Sequence, residues 1–197
     1  MRTSRLEAFT DGVLAIIITI MVLELRVPDG ATLAALGEFA HGFLTYLLSF
    51  VYIGIYWNNH HHMFHIVDHV NGLVLWANLH LLFWLSLFPF TTAWLDQTGL
   101  ARTPTVLYGA NLLLAAIAYY LLVQAIFLHE GAESRLRRAI GSDLKGKVSP
   151  VLYITGIGLA FVNTWLAIAV FSVVAVIWLV PDRRVERYVM GQPRDWM

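Results

Sequence analysis

Apolar residues run in long blocks divided by short polar stretches, and most blocks have the length of a lipid bilayer. Six are predicted as spans: 6–25, 33–57, 70–95, 105–128, 150–162 and 165–180. The first holds twenty residues, about 30 Å of helix and so about one hydrocarbon thickness. It ends at Arg26-Val27-Pro28-Asp29-Gly30, a turn signal around a helix-breaking proline. The stretch from Ser149 to Val180 is too long for one ordinary span and short for two. Asn163-Thr164 is the polar pair near its middle. Two short helices joined by a tight turn are expected there, with one long tilted helix as the alternative.

Charge placement favours the pair. With six spans and the N-terminus inside, the inner segments hold Arg2, Arg5, Arg135, Arg137, Arg138, Lys145, Lys147, Arg183, Arg184, Arg187 and Arg194. The outer ones hold Arg26 and Arg102. With five spans the last four arginines move outside and the bias almost disappears. The positive-inside rule therefore predicts six spans with both termini cytoplasmic. Short helices are accommodated at the edge of a bundle by local thinning or by oligomer contacts. Residues 183–197 are expected to be a cytoplasmic tail after a six-helix domain over 1–182, and no internal duplication is visible.

Composition agrees. The chain is 58% apolar against about 45–50% in soluble domains, and 13% of it is charged. An all-α membrane protein follows. Cysteine is absent, which excludes disulfides, thiolate metal sites and cysteine nucleophiles. The first block lacks a small-residue cleavage site and reads as a retained span.

The first helix carries charge where lipid is expected. Arg5 can snorkel to the interface, whereas Asp11 lies deeper on a short side chain. A carboxylate at that depth costs roughly 2.5–3.5 kcal/mol, so it is expected to face a partner or a water-filled cavity. The other reading is a helix-entry cluster of Thr10 and Asp11. Gly12, Ile16, Thr19, Ile20 and Leu23 recur at helical spacing and form one stripe, with Asp11 about 140° round the helix from Ile16. If the stripe faces a pore, Asp11 must face the other helices of its own subunit. Periodicity alone does not exclude, and by itself favours, a lipid-facing or packing role for the stripe. Thr19 has a local reading too, its hydroxyl bonding the Ala15 carbonyl.

The second polar stretch is Tyr56-Trp57-Asn58-Asn59-His60-His61-His62-Met63-Phe64-His65. His61, His65 and His69 repeat at i, i+4, a spacing that suits zinc. No acid lies between them in a His-Glu-x-x-His arrangement, and aromatic and imidazole groups collect at membrane interfaces. No metal site is assigned. His41 and His80 lie inside spans and keep bis-histidine haem ligation open as an alternative. Glu24, at the outer end of the stripe, is placed either to ring a mouth and attract cations or to pair with Arg26. No catalytic constellation survives inspection, so no enzyme is expected.

Arg5-Leu6-Glu7-Ala8-Phe9-Thr10-Asp11 resembles the Arg-x-x-x-Phe-Ser-Asp signature that opens the first helix of the transmembrane protein 175 potassium channels, the lysosomal-type family. Thr10 stands where serine is usual. Tyr56-Trp57, His60-His61, Leu75-Trp76-Ala77-Asn78-Leu79 and Pro89-Phe90 are similar to patterns on its second and third helices. The resemblance implies a homotetramer of six-helix subunits with one repeat per chain. The first helices would line a central pore for potassium, with no cofactor, metal or nucleic acid, in the bacterial inner membrane. It implies a constriction at Ile16, further layers at Ile20 and Leu23, and a selectivity ring at Thr19. It also implies that Trp57, His60, His61 and Asn78 satisfy Arg5, Thr10 and Asp11 beside Phe9. A proton- or cation-coupled transporter, using Asp11, His41 or His80, is the leading alternative.

Overall fold

The computed structural model describes residues 2–131, 134–140 and 144–179. The tail expected over 183–197 lies outside the described residues. The elements are α1 (Thr3–Leu23), α2 (Leu33–Phe64), α3 (Gly72–Ser86), α4 (Phe88–Gln97), α5 (Arg102–Glu130), α6 (Arg135–Ile140), α7 (Leu144–Leu159) and α8 (Thr164–Leu179). Among the described residues the only extended pairing is an isolated bridge between Arg2 and His69.

Four stretches are long and apolar enough to cross a membrane: Thr3–Leu23, Leu33–Phe64, Gly72–Gln97 and Arg102–Glu130. The chain turns after α7, where Val162 and Asn163 donate to the Leu159 carbonyl at 2.9 and 2.8 Å. Asn163 Oδ1 accepts the Trp165 N–H at 2.8 Å, which starts α8. Each helix of this hairpin has 16 residues, about 24 Å, short of a full hydrocarbon core.

Local chemistry sets the boundaries. Thr32 and Asn71 cap α2 and α3 by accepting the N–H groups of Ala35 and Val74 at 3.2 and 3.0 Å. The third block is bent at Leu87. Pro89 sits in the first turn of α4, where its missing N–H is tolerated and its ring forbids a straight continuation from α3. Gly99 and Leu100 take positive φ, 58° and 60°, and reverse the chain into α5. The second helix runs past the predicted boundary at 57 to Phe64. Asn59 and His62 return their side chains to the carbonyls of Ile55 and Asn58 at 2.8 Å each, so these polar groups ride on the helix and do not end it.

α5 is the hub. It packs against α3, α4, α7 and α8, and the fully buried Ala115 and Ala118 keep its surface narrow. Polar ties cross the apolar core. Ser49 Oγ lies 2.7 Å from Thr92 Oγ1 and 3.0 Å from the Tyr108 hydroxyl, joining α2, α4 and α5. Tyr52 donates to the Phe171 carbonyl at 2.6 Å, joining α2 to α8. Where lipid gives no hydrophobic drive between helices, small residues and such bonds hold them together. α1 is peripheral: it packs on α2, α3 and α4 and is the least buried of the four long stretches.

Phe171 is wedged where α5 and α7 both present glycine. A Cβ on Gly109 would lie 2.5 Å from Phe171 Cζ and 2.8 Å from Ile157 Cγ1. Gly109→Ala is therefore expected to lower the melting temperature of detergent-purified protein, by overpacking worth about 1–3 kcal/mol. At Gly158 a Cβ meets nothing within 4 Å, and Gly158→Ala should not destabilise. Equal melting temperatures for the two variants would rule out this packing.

Candidate functional site

The site is built on α1, which has two opposed faces. Leu6, Thr10, Leu14, Ile17 and Met21 are buried and follow helical spacing along one side. Ile16, Ile20 and Leu23 are 59%, 42% and 81% exposed on the subunit surface. Gly12 and Thr19 are exposed with them. The Thr19 hydroxyl lies 2.8 Å from the carbonyl oxygens of both Ala15 and Ile16. Its proton is committed to the helix backbone, and the oxygen lone pairs remain available.

The inward face is pinned by a buried polar chain. Asn78 Nδ2 on α3 donates to Thr10 Oγ1 at 3.0 Å. Asn78 Oδ1 accepts from His60 Nε2 on α2 at 2.9 Å. Because an amide oxygen only accepts, the His60 proton resides on Nε2. Thr10, His60 and Asn78 are all buried, so three helices meet through one satisfied network, as buried polar groups require.

Asp11 occupies a different environment. It is exposed on the subunit surface and accepts from Trp57 Nε1 at 3.0 Å. Trp57 stacks on His61, with ring planes 16° apart, and His61 Nδ1 lies 3.9 Å from Glu7 Oε1. Of the expected pairings, Trp57 reaches Asp11 and Asn78 reaches Thr10, but Asp11 is exposed at the edge of its own subunit and not enclosed among its helices. Thr10 takes the interior, and the next residue, about 100° round the helix, falls at the rim between α1 and α2. Arg5 also departs from expectation: it is exposed and has no hydrogen-bond or ion-pair partner among the described residues. Phe9 points outward, 55% exposed.

Glu7 is a site residue beyond those expected from the sequence. The available signal was spacing: Glu7 and Asp11 are i, i+4 on α1, Trp57 and His61 are i, i+4 on α2, and the two pairs meet. The His65 and His62 rings lie against His61, with centroids 4.4 and 5.9 Å away, whereas His41 and His80 stand apart. His41 Nδ1 is 3.2 Å from Asp96 Oδ1, and His80 Nε2 is 2.9 Å from Trp84 Nε1. Among the described residues no group of three or more histidines and acids is arranged to hold a metal.

The family model for the endosomal/lysosomal potassium channel TMEM175 matches residues 5–89, a range that encloses both the polar network and the outward stripe. A potassium channel of Chryseobacterium sp. (strain P1-3) is 52% identical over 187 residues, 95% of this chain and 97% of that one. The chain belongs to the TMEM175 potassium channel family. A potassium channel of Chamaesiphon minutus (strain ATCC 27169 / PCC 6605) is 30% identical over 190 residues, 88% of this chain and 92% of its own. The crystal structure of a lysosomal potassium-selective channel TMEM175 homologue from Chamaesiphon minutus superposes with a TM-score of 0.77 at 29% identity. It covers 92% of this chain and 97% of that one, so the likeness to the TMEM175 fold extends beyond the signature helices into the C-terminal hairpin.

Removing the central amide should release both of its partners. Asn78→Leu leaves the Thr10 hydroxyl and the His60 N–H buried without partners, at about 1–3 kcal/mol for each group. A marked fall in melting temperature is expected, whereas Thr10→Ser keeps the oxygen and should lose little. An Asn78→Leu protein that melts with the unmodified one would exclude the network as a fastener of α1.

Proposed function

We propose that the protein is a potassium-selective channel of the bacterial inner membrane. In this reading four copies form a ring, α1 of each lines a central pore, and each subunit crosses the membrane six times with both termini in the cytoplasm. The observation that carries it is the outward stripe of α1. The polar network holds the helix at one rotation, and that rotation turns Ile16, Thr19, Ile20 and Leu23 away from the subunit core. Relatives across nearly the whole chain are named potassium channels.

The chemistry follows from the side chains. A ring of Ile16 offers an ion no ligands, so it closes by narrowness and dewetting, and a passing ion sheds part of its water. Potassium gives up water more readily than the smaller sodium ion. Thr19 lies one turn outward, with its proton turned to the backbone and its oxygen free toward a lumen. Glu24, exposed at the end of α1, suits an outer mouth that concentrates cations. The C-terminal hairpin counts as two short spans because eleven basic residues then lie inside against Arg26 and Arg102 outside.

Three measurements test this reading. Reporter fusions after Val148 and after Val180 should both report the cytoplasm; an external signal after Val180 leaves five spans. Reconstituted protein should give unitary currents reversing near the potassium equilibrium potential, whereas slow saturable flux would indicate a carrier. Ile16→Asn places amides at the constriction, so conductance should rise and potassium preference fall. Ile17 is 3% exposed, and Ile17→Asn should instead reduce folded yield. The pore assignment fails if Ile17→Asn opens the channel while Ile16→Asn changes neither conductance nor selectivity.

A further inference from the structure

Two polar atoms on the subunit surface, each on a helix long and apolar enough to cross a membrane, are left without partners among the described residues. Trp84 Nε1 is a donor only, so His80 Nε2 accepts from it and the neutral His80 ring carries its proton on Nδ1. Among the described residues that N–H meets no acceptor, and His80 is exposed on α3. Asp11 takes the Trp57 indole on Oδ1. Its other oxygen has no partner among the described residues, and Asp11 is exposed as well. Lipid tails satisfy neither atom.

These two atoms lie at one level. The bond from Asn78 to Thr10 fixes the relative height of α3 and α1. Asp11 is one residue beyond Thr10 and His80 two beyond Asn78, about 1.5 and 3 Å further along helices that run the same way. They cannot meet within one subunit. Asn78 turns toward α1, and His80 lies about 200° round α3 from it, on the side that exposes Trp76 and Phe83.

We propose that His80 of one copy donates to Asp11 of the next copy around the ring. The inference rests on the oligomeric reading above. A rotation axis normal to the membrane keeps every residue at its own depth, and a closed ring joins two different faces of the same chain. The α3 face with the spare donor and the α1–α2 rim with the spare acceptor are such a pair. The rim also admits a helix closely. On the Asp11 flank α1 presents Ala8 and Ala15, both exposed, and small residues of this kind let membrane helices approach. The bond is charge-assisted by the carboxylate and would give each subunit a directional contact outside the pore.

Because the chain has no cysteine, disulfide trapping reads the contact directly. Ala8→Cys and Trp76→Cys lie one turn toward the helix starts from Asp11 and His80 and leave the pair intact. Ala15→Cys with Phe83→Cys brackets it from the other side. On oxidation in membranes each double variant should give a ladder of linked chains up to the closed ring. Differently tagged Ala8→Cys and Trp76→Cys chains, expressed together, should give the mixed dimer, and neither single variant should link to itself. In parallel, Asp11→Asn and His80→Leu should each shift native mass toward smaller species, and the double variant should be no worse than the more affected single one. An intact ring in which neither cysteine pair links, or additive losses in the double variant, overturns the contact and leaves the ring standing. Unmodified protein that is monomeric by native mass overturns the ring and the contact together.

Discussion

Rotation of α1 about its own axis is the constraint on which the rest of the site depends, and Asn78 sets it. A helix apolar on every side has no preferred face toward a bundle. One amide bonded to Thr10 on α1 and to His60 on α2 removes that freedom, because rotating α1 would strand buried donors and acceptors. Each such bond in a membrane contributes modestly to stability, about 0.6 kcal/mol on average. Its larger effect is on specificity, since every alternative rotation leaves unpaired polar groups in an apolar interior.

The remaining helices hold this arrangement at a distance. α5 carries fully buried alanines and packs against both α3 and α7, and the serine, threonine and tyrosine hydroxyls of α2, α4 and α5 close on one another. The hairpin of α7 and α8 presses Phe171 against glycines on α5 and α7. It is anchored again where Trp178 Nε1 donates to Ser149 Oγ at 2.8 Å. Contacts this close suit a rigid scaffold behind a peripheral α1.

Much of this was legible in the sequence wherever length or punctuation carried the information. The long blocks marked α1, α2, the bent α3–α4 unit and α5, and Asn163-Thr164 marked the turn before α8. Residues whose fate depends on tertiary geometry were less readable. The polar run from Asn58 to His62 looked like a junction, yet the helix absorbs it through side-chain bonds to its own carbonyls. The break at Leu87 was written in Pro89, but a proline in the first turn of a helix and one that kinks a continuous span look alike in sequence. Asp11 drew attention because a carboxylate in a span is costly; the rotation that sends Thr10 inward and Asp11 to the rim is a property of the packed bundle. Thr10, a hydroxyl with no such cost, was marked by its place in the signature and not by its energetics.

The signature is contiguous for a geometric reason. Consecutive residues on a helix point about 100° apart, so three in a row span about 200° and reach opposed sides. Phe9 is turned outward, Thr10 is 1% exposed at the three-helix junction, and Asp11 lies at the rim against Trp57. Nearly two turns further along, the same step separates exposed Ile16 from buried Ile17. A peripheral helix that must meet its own bundle on one side and present a defined stripe on another has to specify both directions at one level. Adjacent positions do so without lengthening the helix, and a single Asn–Thr contact then transmits the choice along the stiff rod to Ile20 and Leu23, which no polar group of the network touches.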